Sequence, residues 1–138
     1  NAGAVAAGRC EVRQGDVSRL PYADGSFDLA TAFETVYFWP DLPKSFCEIR
    51  RVLRPGGTLL ICNECSGDAP GDEAWTKKIA GMRIYPAAEL QRLLEQAGFH
   101  RIQIHKTSRW LCLTAQSLIE GTDPTNGKAV RHPADGFC

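Results

Sequence analysis

Two apolar runs set the terms on which this chain can fold. Phe27–Phe33 reads Phe-Asp-Leu-Ala-Thr-Ala-Phe, and residues 58–62 read Thr-Leu-Leu-Ile-Cys. Both are of strand length and nearly unbroken, the pattern of a strand buried on both faces in a parallel sheet. Between them lies a helix. Asp41 is its cap and Pro43 falls in the first turn, where proline is tolerated. Leu42, Phe46, Ile49 and Leu53 recur at helical spacing. Pro55-Gly56-Gly57 ends the pattern. Strand, helix and strand in this order form a right-handed crossover between parallel neighbours, so the fold class is α/β.

The flanking segments extend the pattern. Residues 1–8 read as the end of a helix stopped at Gly8. Cys10 and Val12 alternate with Glu11 and Arg13, which predicts a short strand over residues 10–13. A weak helical segment covers residues 73–80. Pro86 opens a strong helix whose face is Leu90, Leu93, Leu94 and Ala97, closed by Gly98. Ile102 and Ile104 mark a strand, and residues 110–115 another with Leu111, Leu113 and Ala115 on one face. Only Thr107-Ser108 link these two, so they are antiparallel neighbours. Residues 116–138 are poor in apolar side chains and read as a disordered tail, which leaves residues 1–115 as the one domain.

Composition narrows the function classes. The 138 residues are 43% apolar and 23% charged, with 16 basic and 16 acidic side chains. That balance gives no field to attract nucleic acid or an anionic membrane. No run approaches the length of a membrane span and there is no secretory signal pattern. Cys10, Cys47, Cys62 and Cys112 sit inside apolar patterns and read as reduced core thiols of a cytoplasmic protein. Cys62-Asn63-Glu64-Cys65 is formally a C-x-x-C, but no second ligand pair accompanies it and no metal site is assigned.

One ordered set of motifs is specific. Gly15-Asp16-Val17 precedes Leu20-Pro21-Tyr22 and then Asp24-Gly25-Ser26-Phe27-Asp28. Later come Glu48-Ile49-Arg50-Arg51-Val52-Leu53-Arg54-Pro55-Gly56-Gly57, and a helix ending Leu93-Leu94-Glu95-Gln96-Ala97-Gly98-Phe99. Over roughly residues 8–115 the set resembles the S-adenosylmethionine-dependent methyltransferases of Rossmann-like, seven-stranded fold, nearest to the type 11 group. The resemblance implies a partial Rossmann-like sheet with helices on both faces and an antiparallel C-terminal strand pair. It implies S-adenosylmethionine as cofactor and a small molecule as methyl acceptor. The glycine-rich cofactor loop and strands 1 and 2 of that fold have no counterpart here. They belong between the third and fourth strands, so the remaining sheet would have a hole or repair differently. The rival reading is a non-catalytic fragment or interaction module, self-associating through exposed strand edges.

By the same resemblance Asp16 accepts a hydrogen bond from the adenine amino group. The Val17 amide meets a ring nitrogen, Leu20 walls the ring, and Phe33 lines the methionine end. The alternative for Asp16 is an Asx-type turn, and for Phe33 core packing. Ligands of open α/β sheets bind beyond the carboxyl ends of strands. That brings Glu34, Tyr37, Trp39, Asn63 and Glu64 forward as a substrate pocket, with Glu34 and Tyr37 as catalytic candidates. Against this, Glu34 is also read as a capping or solvated carboxylate, and Tyr37-Phe38-Trp39 as an aromatic staple between helix and sheet. His100 and His105 read as surface residues. Arg50, Arg51 and Arg54, in a helix's last turns, read as a solvated face.

Overall fold

The computed structural model describes residues 1–118. Asp41 caps helix α2, Leu42–Val52, by accepting the Lys44 amide at 3.1 Å. The helix buries Leu42, Phe46, Ile49 and Val52. It passes without a loop into strand β2, Leu53–Asn63, so Leu53 closes the helix rather than continuing it. β1, Phe27–Phe33, lies parallel to β2. Pro55-Gly56-Gly57 does not end pairing. It bulges, because β2 advances from Leu53 to Thr58 while β1 advances from Phe27 to Leu29. Gly57 is forced there: a Cβ would lie 2.9 Å from the Arg54 carbonyl oxygen and 3.2 Å from that of Asp28.

Helix α4, Ala87–Gln96, buries Leu90, Leu93 and Leu94. It stops at Gly98, whose φ of 86° suits the left-handed position after a helix end. β3, Phe99–Lys106, and β4, Leu111–Ser117, form the expected antiparallel pair. β4 also pairs antiparallel with β2, and the sheet runs β1-β2-β4-β3. These four strands are contiguous, so the sheet has no hole. Two short helices, α1 at Ala2–Ala6 and α3 at Asp72–Lys78, bury nothing.

The α/β class is as the sequence predicts, with four differences in detail. Residues 10–13 form no strand, and Val12 is 83% exposed. Two apolar residues bury too little to hold a strand that no neighbour pairs. β1 is an outer strand, not one buried on both faces. Ala30 and Ala32 face the core, whereas Leu29 and Phe33 are 55% and 56% exposed. The core, with Leu59, Ile61, Leu111, Leu113 and Ala115 from the central strands, lies under α2 and α4 on one face. Among the described residues the second face carries no helix layer, where helices on both faces were expected. β4 reaches Ser117, and residues 119–138, most of the expected tail, lie outside the described residues.

The thiol reading is also corrected. Cys62 and Cys112 oppose each other across β2 and β4 with Cα atoms 4.2 Å apart and are bridged as a disulfide. Cys47 is disulfide-bonded as well, while Cys10 and Cys65 are free. The partner of Cys62 is thus Cys112, its opposite in the strand register, and not the Cys65 of the formal C-x-x-C. No described helix is long and apolar enough to cross a membrane.

Candidate functional site

β1 and β2 run parallel and finish side by side, with Phe33 opposite Cys62. The chain leaves β1 at Glu34, a non-glycine residue held at φ 55°. Its amide donates to the Cys62 carbonyl at 3.0 Å, and its carboxylate oxygen Oε1 accepts the Glu64 amide. Glu34 is thereby bonded to both sides of the β2 terminus. A turn of 3-10 helix, Val36–Phe38, then swings Tyr37 beneath it. Tyr37 is buried, and its hydroxyl oxygen accepts the Cys65 amide at 2.8 Å. The hydroxyl proton faces Glu34 Oε1 and the Cys65 carbonyl, each at 3.4 Å, long for such bonds. Burial pushes the phenol far above its ordinary range, so it stays protonated. Burial raises the Cys65 thiol too.

Glu34, Tyr37 and Glu64 therefore meet at one place. Glu64 is also ion-paired with Arg109. Asn63 is fully buried, and neither its Oδ1 nor its Nδ2 has a partner among the described residues; the same holds for Ser66 Oγ. An unmet buried amide costs about 1–3 kcal/mol, so Asn63 is equipped for a further polar group. Trp39 turns away, edge-on to Phe46 at 6.0 Å, and staples the 3-10 turn to α2. Phe33 lies on the open sheet face, outside the core.

The Asp16 segment is a separate feature on the α2 side. Asp16 Oδ1 accepts both the amide and the hydroxyl of Ser18 at 2.8 Å. This is the Asx-type turn, and it holds the carboxyl below its usual range. The turn leaves Oδ2 unused. Val17 and Leu20 pack against the core, and the Leu20 amide donates to Glu48 Oε1 at 2.8 Å. Arg51 fixes the rest. Its guanidinium donates to Glu48, to Asp24 at 2.7 Å and to the carbonyls of Tyr22 at 2.8 Å and Leu20 at 3.2 Å. Arg51 is thus a loop clamp and not a solvated charge, while Arg54 pairs with Asp28 near the surface. The signal for the clamp was the Glu48–Arg51 pair at helical spacing.

The first 61 residues match the family model described as a methyltransferase domain, type 11. Over that stretch the chain is similar to the type 11 S-adenosylmethionine-dependent methyltransferases. Among curated methyltransferase relatives it is 35% identical to O-methyltransferase resE of Aspergillus sclerotiorum, over 72% of this chain and 39% of that protein. It is 31% identical to the uncharacterized protein YafE of Escherichia coli, over 62% of this chain and 44% of the other. The chain spans less than half the length of these relatives. A solved S-adenosylmethionine-dependent methyltransferase of Thermotoga maritima superposes with a TM-score of 0.69 at 21% identity, covering 82% of this chain and 67% of its own. That likeness is one of fold.

Proposed function

We propose that this chain serves S-adenosylmethionine-dependent methyl transfer to a small molecule, and that its own residues supply the adenine end of the cofactor site and the acceptor side. The reading rests on the Glu34 carboxylate, the Tyr37 hydroxyl and the Glu64 amide meeting at the carboxyl ends of β1 and β2, in a chain whose first 61 residues match a methyltransferase domain. The residues fit the cofactor's adenine end. Asp16 Oδ2 is an acceptor matched to an exocyclic amino donor, and Val17 and Leu20 offer apolar flanks. When bound, the cofactor supplies a sulfonium methyl group, which needs orientation more than a protein nucleophile. Glu34 is exposed and its Oε1 is occupied, so Oε2 takes the N–H or O–H proton of an acceptor. Tyr37 keeps its proton and fixes the Glu34 carboxylate and the Cys65 loop. Asn63 orients a polar group that reaches the end of β2. Self-association belongs to the same proposal, through the outer edge of β1, and light scattering over a concentration series reads it.

Calorimetric titration with S-adenosylhomocysteine tests the cofactor reading. Binding is expected, with a loss of at least about tenfold in Asp16→Ala, the order of one charged hydrogen bond. Glu34→Gln should leave that affinity in place. Equal affinity in Asp16→Ala overturns the adenine assignment, and no binding by the unaltered chain overturns the claim that its residues hold the cofactor.

A further inference from the structure

The open face of the sheet carries a row of side chains to which the proposed function gives no role. Phe33 on β1, Cys62 on β2, Cys112 on β4 and His105 on β3 stand directly opposite one another in successive strand pairs. Cys62 and Cys112 are half-buried, and their outer neighbours Phe33 and His105 are exposed. The Cα atoms of Cys62 and Cys112 are 4.2 Å apart, the close approach of directly opposed antiparallel residues and well short of the roughly 7 Å beyond which two cysteines cannot be bridged. Cys65, three residues along, is buried and bonded through its backbone to Tyr37.

We propose that Cys62 and Cys112 form a reversible dithiol–disulfide site that exchanges with small-molecule disulfides reaching the open sheet face. Closing the site from the dithiol runs in two displacements. The thiolate of one cysteine attacks the small disulfide, forms a mixed disulfide and releases one small thiol. The second cysteine attacks the protein-side sulfur, forms the Cys62–Cys112 bond and releases the second small thiol. The protein loses two electrons and two protons, and the small disulfide gains them. Opening by two small thiols is the reverse, and they leave joined as the small disulfide.

The site sits where it changes the strand end. The Cys62 carbonyl holds the Glu34 amide at 3.0 Å, and Asn63 follows on the same strand. The bridge ties this end of β2 to β4 covalently; its opening leaves only the ladder hydrogen bonds. The inference stands without the methyl-transfer reading, since it concerns thiol chemistry and local opening alone.

Equilibration of the chain with a series of oxidised-to-reduced glutathione ratios, followed by acid quench, differential alkylation and peptide mass mapping, tests it. The expected result is that Cys62 and Cys112 lose and regain alkylation together, in a linked peptide pair that excludes Cys65. Amides of residues 63–65 should exchange several-fold faster in the reduced chain. In Cys112→Ser, Cys62 should instead carry a glutathione adduct; Cys65→Ser should leave the linked pair intact and controls for mere damage to the fold. Three results overturn the proposal: a linked pair joining Cys62 to Cys65, independent alkylation of Cys62 and Cys112, or a bridge that no glutathione ratio opens in the folded chain.

Discussion

Glu34 occupies the left-handed region at φ 55°, a conformation that costs a side-chain-bearing residue about 1–2 kcal/mol. The carboxylate's bonds to Glu64 and Tyr37 offset that cost. Glu34→Ala keeps the cost and loses the bonds, whereas Glu34→Gly loses both. Urea unfolding should therefore find the glycine variant more stable than the alanine variant by about 1 kcal/mol. Tyr37 makes a second prediction. Tyr37→Phe leaves the buried Cys65 amide without an acceptor, at about 1–3 kcal/mol. The pH dependence has a definite sign. Burial raises the folded phenol above its ordinary value of 10.0, and Tyr85 is raised in the same way. Below pH 10 both folded and unfolded chains keep the proton, and the contribution is fully present. As pH rises past 10 the unfolded chain releases its proton first, and stability falls. Denaturation midpoints between pH 9 and 11.5 should fall less steeply in Tyr37→Phe than in the unaltered chain.

At the scale of elements, the helices were legible because their information is local. Asp41, the Leu42–Phe46–Ile49 stripe, Pro86 and Gly98 each act within one turn of their own position. What failed to show was long-range. The exposure of β1 depends on which strands flank it, and the Cys62–Cys112 pair depends on a register between segments fifty residues apart. The convergence of Glu34, Tyr37 and Glu64 was legible from the rule about strand ends, whereas of the Arg51 clamp only the Glu48 pair at helical spacing was, since its other acceptors are loop carbonyls and Asp24 far along the chain. Two predictions belong here. Leu94 is fully buried between α4 and the sheet, so Leu94→Ala should cost about 2–5 kcal/mol in urea unfolding. Arg51→Ala frees the loop of residues 16–25 from α2 while leaving the helix stripe untouched. Limited proteolysis should then cut within that loop at least several-fold faster, with α2 and β2 still protected.

Over the whole molecule, order is graded from the centre of the sheet outward. β2 and β4 are paired on both sides and bury Leu59, Ile61, Leu111 and Leu113 completely. β1 and β3 are outer strands, and α1 and α3 bury nothing. Amide exchange should follow that gradient, slowest in β2 and β4 and near the unfolded rate in residues 1–15. The one-sided core also has a calorimetric signature. Unfolding a typical domain raises the heat capacity by about 12–15 cal/mol/K per residue, chiefly from newly wetted apolar surface. A sheet that already wets one face, with Leu29 and Phe33 in water before any unfolding begins, has less to expose. Its heat-capacity step, denaturant slope and melting enthalpy per residue should all be small, so a broad and shallow melt is the normal behaviour of this architecture and not a mark of a misfolded sample.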